Sequence, residues 1–130
     1  MSVNFLRFNA MDYVGIPYKE NSVNPDEGLD CYGIVRYVLN TERGLALPEK
    51  PPIAARWHRY VKLFKPPLPY PIKHDILMFA EIIPGIVNHI GIMISATDFV
   101  HSGSKFGGVV CEPINKYRYL ITGLGRPHDH

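Results

Sequence analysis

The sequence predicts one α+β domain in which helices from the N-terminal half pack on a central antiparallel β-sheet formed by the C-terminal half. Helical spacing of apolar residues is confined to the first half, whereas short β-type runs separated by turn residues fill the second half. A proline-rich stretch over residues 47–71 lies between the two. Because the two patterns are segregated rather than alternating, a parallel sheet built from βαβ units is not expected.

Composition excludes several classes of protein. With 130 residues, 46% of them hydrophobic and 20% charged, the chain has the size and composition of a single globular domain over residues 1–130. The 14 lysines and arginines exceed the 12 aspartates and glutamates by a formal +2 and are scattered along the sequence, so we expect no nucleic-acid partner. No stretch approaches the roughly 20 apolar residues of a membrane span, and the N-terminus lacks a signal-peptide pattern.

Three segments of the first half have helical spacing. A first helix is predicted over residues 3–14, followed by a loop rich in turn residues. A second helix is predicted to begin at Asp30, a favourable N-cap residue, and to end at Gly44. A short third helix is predicted over 54–64, between two proline-rich connectors.

Five β-type runs follow the connector. They are predicted over residues 75–80, 88–95, 99–101, 109–114 and 117–124. Side chains alternate along a strand, so His89 shares one face with Gly91 and Met93, while three isoleucines form the other face. We therefore expect one apolar face and one face that carries the histidine.

Cys31 lies in the first turn of the predicted second helix, where a thiol can act as a nucleophile. The first N–H groups of a helix have no intrahelical partner and, with the helix dipole, favour a thiolate. A cysteine needs such help, because its ordinary pKa of about 8.5 leaves little thiolate at neutral pH.

Two downstream histidines complete a candidate catalytic set. A hairpin pairing of the runs 88–95 and 99–101 would bring His101 near His89. In this arrangement Cys31 attacks, His89 takes its proton, and His101 bonds the far nitrogen of His89 to set its tautomer and orientation.

Structural alternatives exist for each of these residues. A lone cysteine on a helix is more often a packing residue, and Cys111 is most simply interpreted as a packed strand residue. Cys31, Cys111, His89 and His101 together offer two thiols and two imidazoles, but they lack the close pairing of zinc ligands, so no metal site is predicted. A disulfide between the two cysteines is not expected in a chain of this size. The remaining histidines are interpreted as structural: His58, His74, His128 and His130.

Six segments, taken in order, resemble the motif series of the NlpC-like cysteine peptidases. They are Gly15-Ile16-Pro17-Tyr18, Gly28-Leu29-Asp30-Cys31-Tyr32-Gly33-Ile34-Val35, Gly44-Leu45-Ala46-Leu47-Pro48, His74-Asp75-Ile76-Leu77-Met78-Phe79, Asn88-His89-Ile90-Gly91-Ile92-Met93-Ile94 and Phe99-Val100-His101. The resemblance implies a papain-like α+β fold that cleaves cell-wall peptides, typically next to a D-amino acid. It also implies that Cys31 is the nucleophile, His89 the base and His101 the orienting residue.

The chain departs from this pattern at Tyr32. Many wall-cleaving members have a serine there, which, with the residues corresponding to Tyr18 and Asp30, helps to hold the free amino end of the substrate. The resemblance thus implies that Tyr18, Asp30 and Tyr32 bind substrate, with a changed pocket beside Tyr32. An aromatic residue after the cysteine, followed by a proline-rich connector, resembles the branch found in the tail tips of tailed bacteriophages. That branch implies assembly in the host cytoplasm, action at the cell wall as part of the virion, and no signal peptide.

The resulting hypothesis is a cysteine endopeptidase that hydrolyses peptidoglycan stem peptides or cross-links, with no metal or cofactor, in contact with other tail-tip proteins. One alternative is a structural tail-tip protein of the same fold with weak or no hydrolytic activity. An amidase or a thiol acyltransferase is a further alternative, because acyl-enzyme chemistry is common to all of these.

Overall fold

One α-helix packs on a six-stranded antiparallel sheet in the computed structural model, which describes residues 9–128. The helix is α1 (Cys31–Arg43), and the strands are β1 (Val61–Phe64), β2 (Ile76–Phe79), β3 (His89–Met93), β4 (Asp98–Gly103), β5 (Gly108–Pro113) and β6 (Ile121–Pro127). The strands lie side by side in the order β1-β6-β2-β3-β4-β5, and each neighbouring pair is antiparallel. The predicted α+β class is confirmed.

Helix α1 has the bounds that its capping residues predict. The Asp30 side chain accepts a hydrogen bond from the Gly33 N–H at 2.7 Å, which satisfies one of the free donors of the first turn. At the other end Gly44 adopts a left-handed conformation with φ 64° and donates its N–H to the Asn40 carbonyl. Cys31 is therefore the first residue of a well-capped helix.

Both faces of the sheet are covered by apolar side chains. On one face, the apolar side of α1 packs against residues such as Ile76, Ile92 and Val100. On the other face lies a second cluster of buried residues, formed by Leu77, Phe79, Met93, Phe99, Ile114 and Leu124. The expected apolar face of β3 is confirmed, because Ile92 and, just after the strand, Ile94 belong to the first cluster. The face that carries His89 is also covered in part, because Met93 belongs to the second cluster.

The first predicted helix is not a helix where the structure describes it. Residues 3–8 of that prediction lie outside the described residues, and the remainder forms only a 3-10 turn over Ala10–Asp12. The Asn9 side chain accepts from the Met11 N–H, and the Asp12 side chain accepts from the Asn9 N–H. These two local bonds close a single turn, and the Gly15 N–H then pairs with the Val109 carbonyl instead of continuing a helix.

The third predicted helix is replaced by a 3-10 helix and a strand. Ala54–Arg59 forms the 3-10 helix, and β1 follows it at the sheet edge, where it pairs with β6. The last strand also begins later than predicted, because residues 114–120 form two 3-10 turns before β6. In both places apolar spacing over a short segment did not distinguish the competing structures.

Within residues 9–128, no helix has the length and apolar character required to cross a membrane.

Candidate active site

Cys31 and His89 line the same open cleft, which has a volume of about 260 Å³. The polar side of this cleft is formed by residues from four segments of the chain: Tyr18, Asp30, Glu81, Asn88, Ser102 and Lys105. An apolar groove borders the same cysteine and histidine on the other side and includes Trp57 and Val87. The thiol thus lies between a polar and an apolar part of one surface depression.

Close backbone packing sets the position of Cys31. The Ser102 hydroxyl, buried on β4, donates to the Leu29 carbonyl at 2.6 Å and thereby ties the segment before α1 to the sheet. A Cβ atom at Gly33 would lie 2.4 Å from the Ser22 carbonyl oxygen, so a larger residue cannot fit in this turn without displacing the loop. Sequence reasoning did not single out either contact, because both join residues from different segments.

The two predicted histidines are in direct contact. His89 Nε2 lies 2.8 Å from His101 Nδ1, and the ring centroids are 5.0 Å apart. Since Nε2 of His89 is engaged in this bond, Nδ1 is the nitrogen that remains to take a proton from the thiol. A Cβ atom at Gly91 would lie 3.2 Å from the Cβ of His101, so the small residue permits the close approach of β3 and β4.

His101 is held in an aromatic enclosure. His101 as a whole is 1% exposed, and its ring centroid lies 4.7 Å from that of Phe99 and 4.9 Å from that of Phe106. Tyr117 approaches from a third side, with a centroid distance of 5.8 Å. This packing restricts the ring orientation of the histidine that bonds His89.

Glu112 is a member of the site that sequence reasoning missed. Its Oε2 lies 2.7 Å from His101 Nε2, and its Oε1 accepts from Lys116 Nζ at 2.9 Å. Tyr117 also hydrogen-bonds the carboxylate. The only available signal was a carboxylate inside an apolar strand, and its relation to His101 depends on the pairing register of β4 and β5.

The thiol and the imidazole are both neutral at rest. Burial raises the pKa of the Cys31 thiol, although hydrogen bonding to the Ile90 backbone opposes this shift. Burial, assisted by His101 and Lys105, lowers the pKa of His89 to about 4. The backbone N–H groups of Tyr32 and Cys31 at the helix start do favour the thiolate, as expected, but desolvation outweighs them and the net shift is upward. A neutral His89 is available to accept the thiol proton during attack.

The three residues that the resemblance assigns to substrate lie around this cleft. Tyr18 is partly exposed on its polar side, and its N–H donates to the Gly107 carbonyl. Asp30 also lines the cleft, with its second oxygen accepting from the Asn21 N–H at 2.9 Å. Tyr32 borders the apolar groove but is only 4% exposed, and its hydroxyl donates to the Pro48 carbonyl at 2.5 Å. The phenol hydroxyl is thus bonded to backbone rather than free in the polar cleft.

Two further histidine rings are hydrogen-bonded outside the cleft. His74 Nε2 lies 2.8 Å from Glu42, and His128 Nε2 lies 2.9 Å from the His58 carbonyl, in agreement with their structural interpretation. His130 lies outside the described residues. Both cysteines are free thiols, and Cys111 packs at the edge of the core that covers α1.

Among residues 9–128, no group of three or more histidine, cysteine, aspartate or glutamate side chains is arranged to hold a metal ion.

Comparison with known proteins identifies the family to which this cleft belongs. The model of the NlpC/P60 family matches residues 15–122, which include the whole of α1 and all three predicted catalytic residues. The chain belongs to the NlpC/P60 family. The family match begins in the loop before α1 and ends within the last strand.

Two relatives from Bacillus subtilis (strain 168) are similar over most of this NlpC/P60 chain. Gamma-DL-glutamyl hydrolase is 31% identical over 120 residues, which cover 90% of the chain and 27% of the relative. The protein described as probable peptidoglycan endopeptidase LytE is 30% identical over 124 residues, which cover 92% of the chain and 34% of the relative. The chain thus spans about a quarter to a third of the length of these curated relatives.

A solved structure supports the fold. The NlpC/P60 domain of the peptidoglycan hydrolase SagA superposes with a TM-score of 0.64 at 20% identity and covers 89% of this chain and 91% of that domain. At this identity the likeness establishes the architecture, in which one helix packs on an antiparallel sheet.

Proposed function

We propose that this protein is a cysteine endopeptidase that hydrolyses peptidoglycan stem peptides or cross-links. The observation that carries the proposal is the meeting, in one cleft, of a thiol at the start of α1 with a neutral histidine that is bonded to a second histidine. A peptidoglycan endopeptidase among the relatives and a peptidoglycan hydrolase among the similar structures support this choice of substrate.

The chemistry proceeds through an acyl-enzyme. Cys31 Sγ attacks the scissile carbonyl carbon while His89 Nδ1 takes the thiol proton, and His89 then gives that proton to the departing amine. The Cys31 N–H, at the N-terminus of α1, stabilises the negative charge that develops on the carbonyl oxygen. A water molecule next gives a proton to His89 and attacks the thioester carbon, which releases the acid and restores the thiol.

The two sides of the cleft favour a peptide with one polar and one less polar end. Asp30 and Tyr18 offer a carboxylate and a phenol to a free amino group on the polar side. Trp57 and Val87 offer apolar surface on the other side of Cys31. Stem peptides contain both kinds of group, and the D-amino acid expected from the family resemblance would lie next to the bond that is cut.

The decisive experiment compares the protein with its Cys31→Ala variant on purified peptidoglycan. We expect the intact protein to release peptide fragments that the variant does not release, and mass analysis of the new ends identifies the bond. New amine and carboxyl ends within the stem or cross-link support an endopeptidase. Release at the sugar-linked amide would indicate an amidase, and transfer to an added amine an acyltransferase. Identical products from the unmodified protein and from Cys31→Ala, both as free proteins and in assembled virions, would refute a hydrolytic function.

We also propose that the protein acts at the tail tip of a bacteriophage virion, where it contacts other tail-tip proteins after assembly in the host cytoplasm. The segment between β2 and β3 supports a role in assembly, since Ile82, Ile83 and Ile86 are 80%, 54% and 58% exposed. Exposed apolar side chains grouped in one segment are typical of protein contact surfaces. Tyr32, which resembles the tail-tip branch of the family, agrees with this placement.

Proteomic analysis of purified virions tests the placement. We expect the protein to copurify with intact particles produced by the strain that carries its gene, and its absence from them would refute the tail-tip role. Particles that carry Cys31→Ala distinguish an enzyme from a structural component. Full wall penetration by those particles would favour the structural alternative, whereas impaired penetration with normal assembly supports the peptidase.

A further inference from the structure

The hydrogen-bonded chain of the active site continues beyond His101 to a carboxylate. His89 Nε2 lies 2.8 Å from His101 Nδ1, and His101 Nε2 lies 2.7 Å from Glu112 Oε2. The side chains of His101 and Glu112 are 2% and 13% exposed, so water competes little for these bonds. Three groups are therefore joined in series, starting from His89, which lines the cleft together with Cys31.

The register of the sheet accounts for this contact. His101 on β4 pairs with Val110 on β5, and Phe99 pairs with Glu112. Residues two apart on a strand share a face, so Glu112 lies diagonally across from His101 on the face that carries both histidines.

Glu112 is ionised at neutral pH. Burial alone would raise the pKa of its carboxyl, but hydrogen bonds from Tyr117, Lys116 and His101 outweigh that effect and hold the pKa below its usual value. An ionised carboxylate accepts hydrogen bonds and donates none.

That property determines where the hydrogens lie on both rings. Because Glu112 only accepts, Nε2 of His101 must carry the hydrogen. Burial lowers the pKa of His101, so its ring is uncharged at neutral pH. A neutral imidazole has one N–H, so Nδ1 of His101 is then an acceptor, and Nε2 of His89 must donate to it. Nδ1 of His89 consequently holds the lone pair that a thiol proton requires.

The two imidazoles alone do not determine this order. If each ring carried its hydrogen on Nδ1, His101 Nδ1 would donate to His89 Nε2 across the same distance. His89 Nδ1 would then carry a hydrogen and could not accept the thiol proton. The second arrangement is excluded only if the group bonded to His101 Nε2 accepts hydrogen bonds and donates none, as the Glu112 carboxylate does.

We propose that Glu112 is a positioning residue that sets the tautomers of His101 and His89 and so keeps His89 Nδ1 free to accept the proton of Cys31. This inference rests on the proposed peptidase function and adds a fourth residue to its catalytic set. Tyr117 and Lys116 hold the carboxylate in place. When His89 becomes protonated during attack, its Nε2–H still donates to His101, and the negative end of the chain favours the new positive charge.

The test uses Glu112→Gln, which retains the size of the side chain but presents an amide that can donate as well as accept. Nitrogen-15 spectra of protein with labelled histidines distinguish the protonated from the unprotonated nitrogen of each ring. We expect His89 in the unmodified protein to carry its hydrogen on Nε2, and the variant to contain both tautomers. We also expect alkylation of Cys31 by iodoacetamide to slow by about 10- to 100-fold, less than the ~10⁴-fold loss known for a carboxylate that contacts the base directly.

Glu42→Gln is the matched control, because Glu42 also bonds a histidine and a tyrosine but lies at the other end of α1. At a temperature where all proteins are folded, we expect this variant to retain the His89 tautomer and the alkylation rate. Glu112→Asp, which keeps the charge with a shorter reach, should restore part of the rate.

Two results would overturn the inference. One is a hydrogen on Nδ1 of neutral His89 in the unmodified protein, which is measurable even if Glu112→Gln fails to fold. The other is an unchanged tautomer and alkylation rate in folded Glu112→Gln. Neither measurement requires peptidoglycan, so a protein that lacks wall hydrolysis but has the expected tautomers would refute the proposed function and leave the effect of Glu112 on the two tautomers standing.

Discussion

Two clusters of the same composition lie near opposite ends of helix α1, and only one of them adjoins the cleft. Near the N-terminal end, the Nε2 nitrogen of His101 is 2.7 Å from Glu112, whose carboxylate also bonds a tyrosine and a lysine. At the C-terminal end, the Nε2 nitrogen of His74 is 2.8 Å from Glu42. Glu42 in turn accepts from the Tyr13 hydroxyl at 2.6 Å.

The clusters differ in what faces the second ring nitrogen. Nδ1 of His101 faces His89, a second imidazole that borders the cleft. Nδ1 of His74 lies 3.3 Å from a guanidinium nitrogen of Arg43, a permanent cation. The same acid–histidine pair therefore ends in a proton acceptor in one place and in a charged donor in the other. A histidine bonded to a buried carboxylate is thus not by itself a catalytic group. The group at its other ring nitrogen and its access to substrate determine whether it can take part in catalysis.

The largest expected effect on activity comes from replacing the histidine that borders the cleft, and replacing the histidine of the other cluster is the control. His89→Gln removes the base, so we expect alkylation of Cys31 and peptide hydrolysis to fall by about 10³-fold. His74→Asn serves as the control, because asparagine tolerates the positive φ of 74° at this position. That variant should keep its activity within about twofold when folded, since its cluster does not face the cleft. A folded His74→Asn protein that lost activity would contradict the functional distinction between the clusters.

Glu42→Gln is expected to affect stability rather than activity. The Glu42 side chain is 2% exposed, and hydrogen bonds with His74 and Tyr13 hold its pKa below the usual value against the effect of burial. We expect a loss of about 1–3 kcal/mol in the free energy of unfolding, measured by urea denaturation. A loss below about 0.5 kcal/mol would indicate that the cluster contributes little to the fold.

Acidification should act on His89, the proposed base. Burial lowers the pKa of His89 from 6.5 to about 4, so we expect alkylation of Cys31 to be lost as the pH falls through about 4 and His89 becomes charged. The unfolded chain binds this proton at a higher pH, so stability should already decline as the pH falls from about 6.5 towards 4. Thermal unfolding at about pH 7 and about pH 5 measures the decline, which should be smaller in His89→Gln. An equal decline in that variant would assign the effect to other groups.

The smallest effects are expected from the lysines of the two clusters. Lys73 and Lys116 lie 3.7 Å and 2.9 Å from their glutamates and have side chains that are 48% and 62% exposed. Because exposed ion pairs contribute little, we expect Lys73→Met and Lys116→Met each to change the free energy of unfolding by less than about 0.5 kcal/mol. A substantially larger loss in either variant would show that the lysine, and not the hydrogen bonds from the histidine and the tyrosine, organises its cluster.

Local sequence signals predicted the helix that bears the thiol. The Asp30 cap and the left-handed Gly44 act within one helical turn, so their effect can be deduced from neighbouring residues. The prediction of the third helix was wrong because the apolar spacing of its last residues also suits the edge strand β1. Whether that segment forms a strand depends on its pairing with β6. The spacing of apolar residues in this segment is therefore compatible with both a helix and a strand.

The sequence by itself determined the capped start of α1 at Cys31 and the alternation that assigns His89 to one face of β3, because both depend on short-range backbone geometry. Tertiary structure decided the rest of the site. The pairing of β4 with β5 brings Glu112 to His101, and burial keeps His89 neutral while raising the pKa of the thiol. These properties depend on the distances and solvent exposure of groups from different segments, which exist only once the sheet has formed.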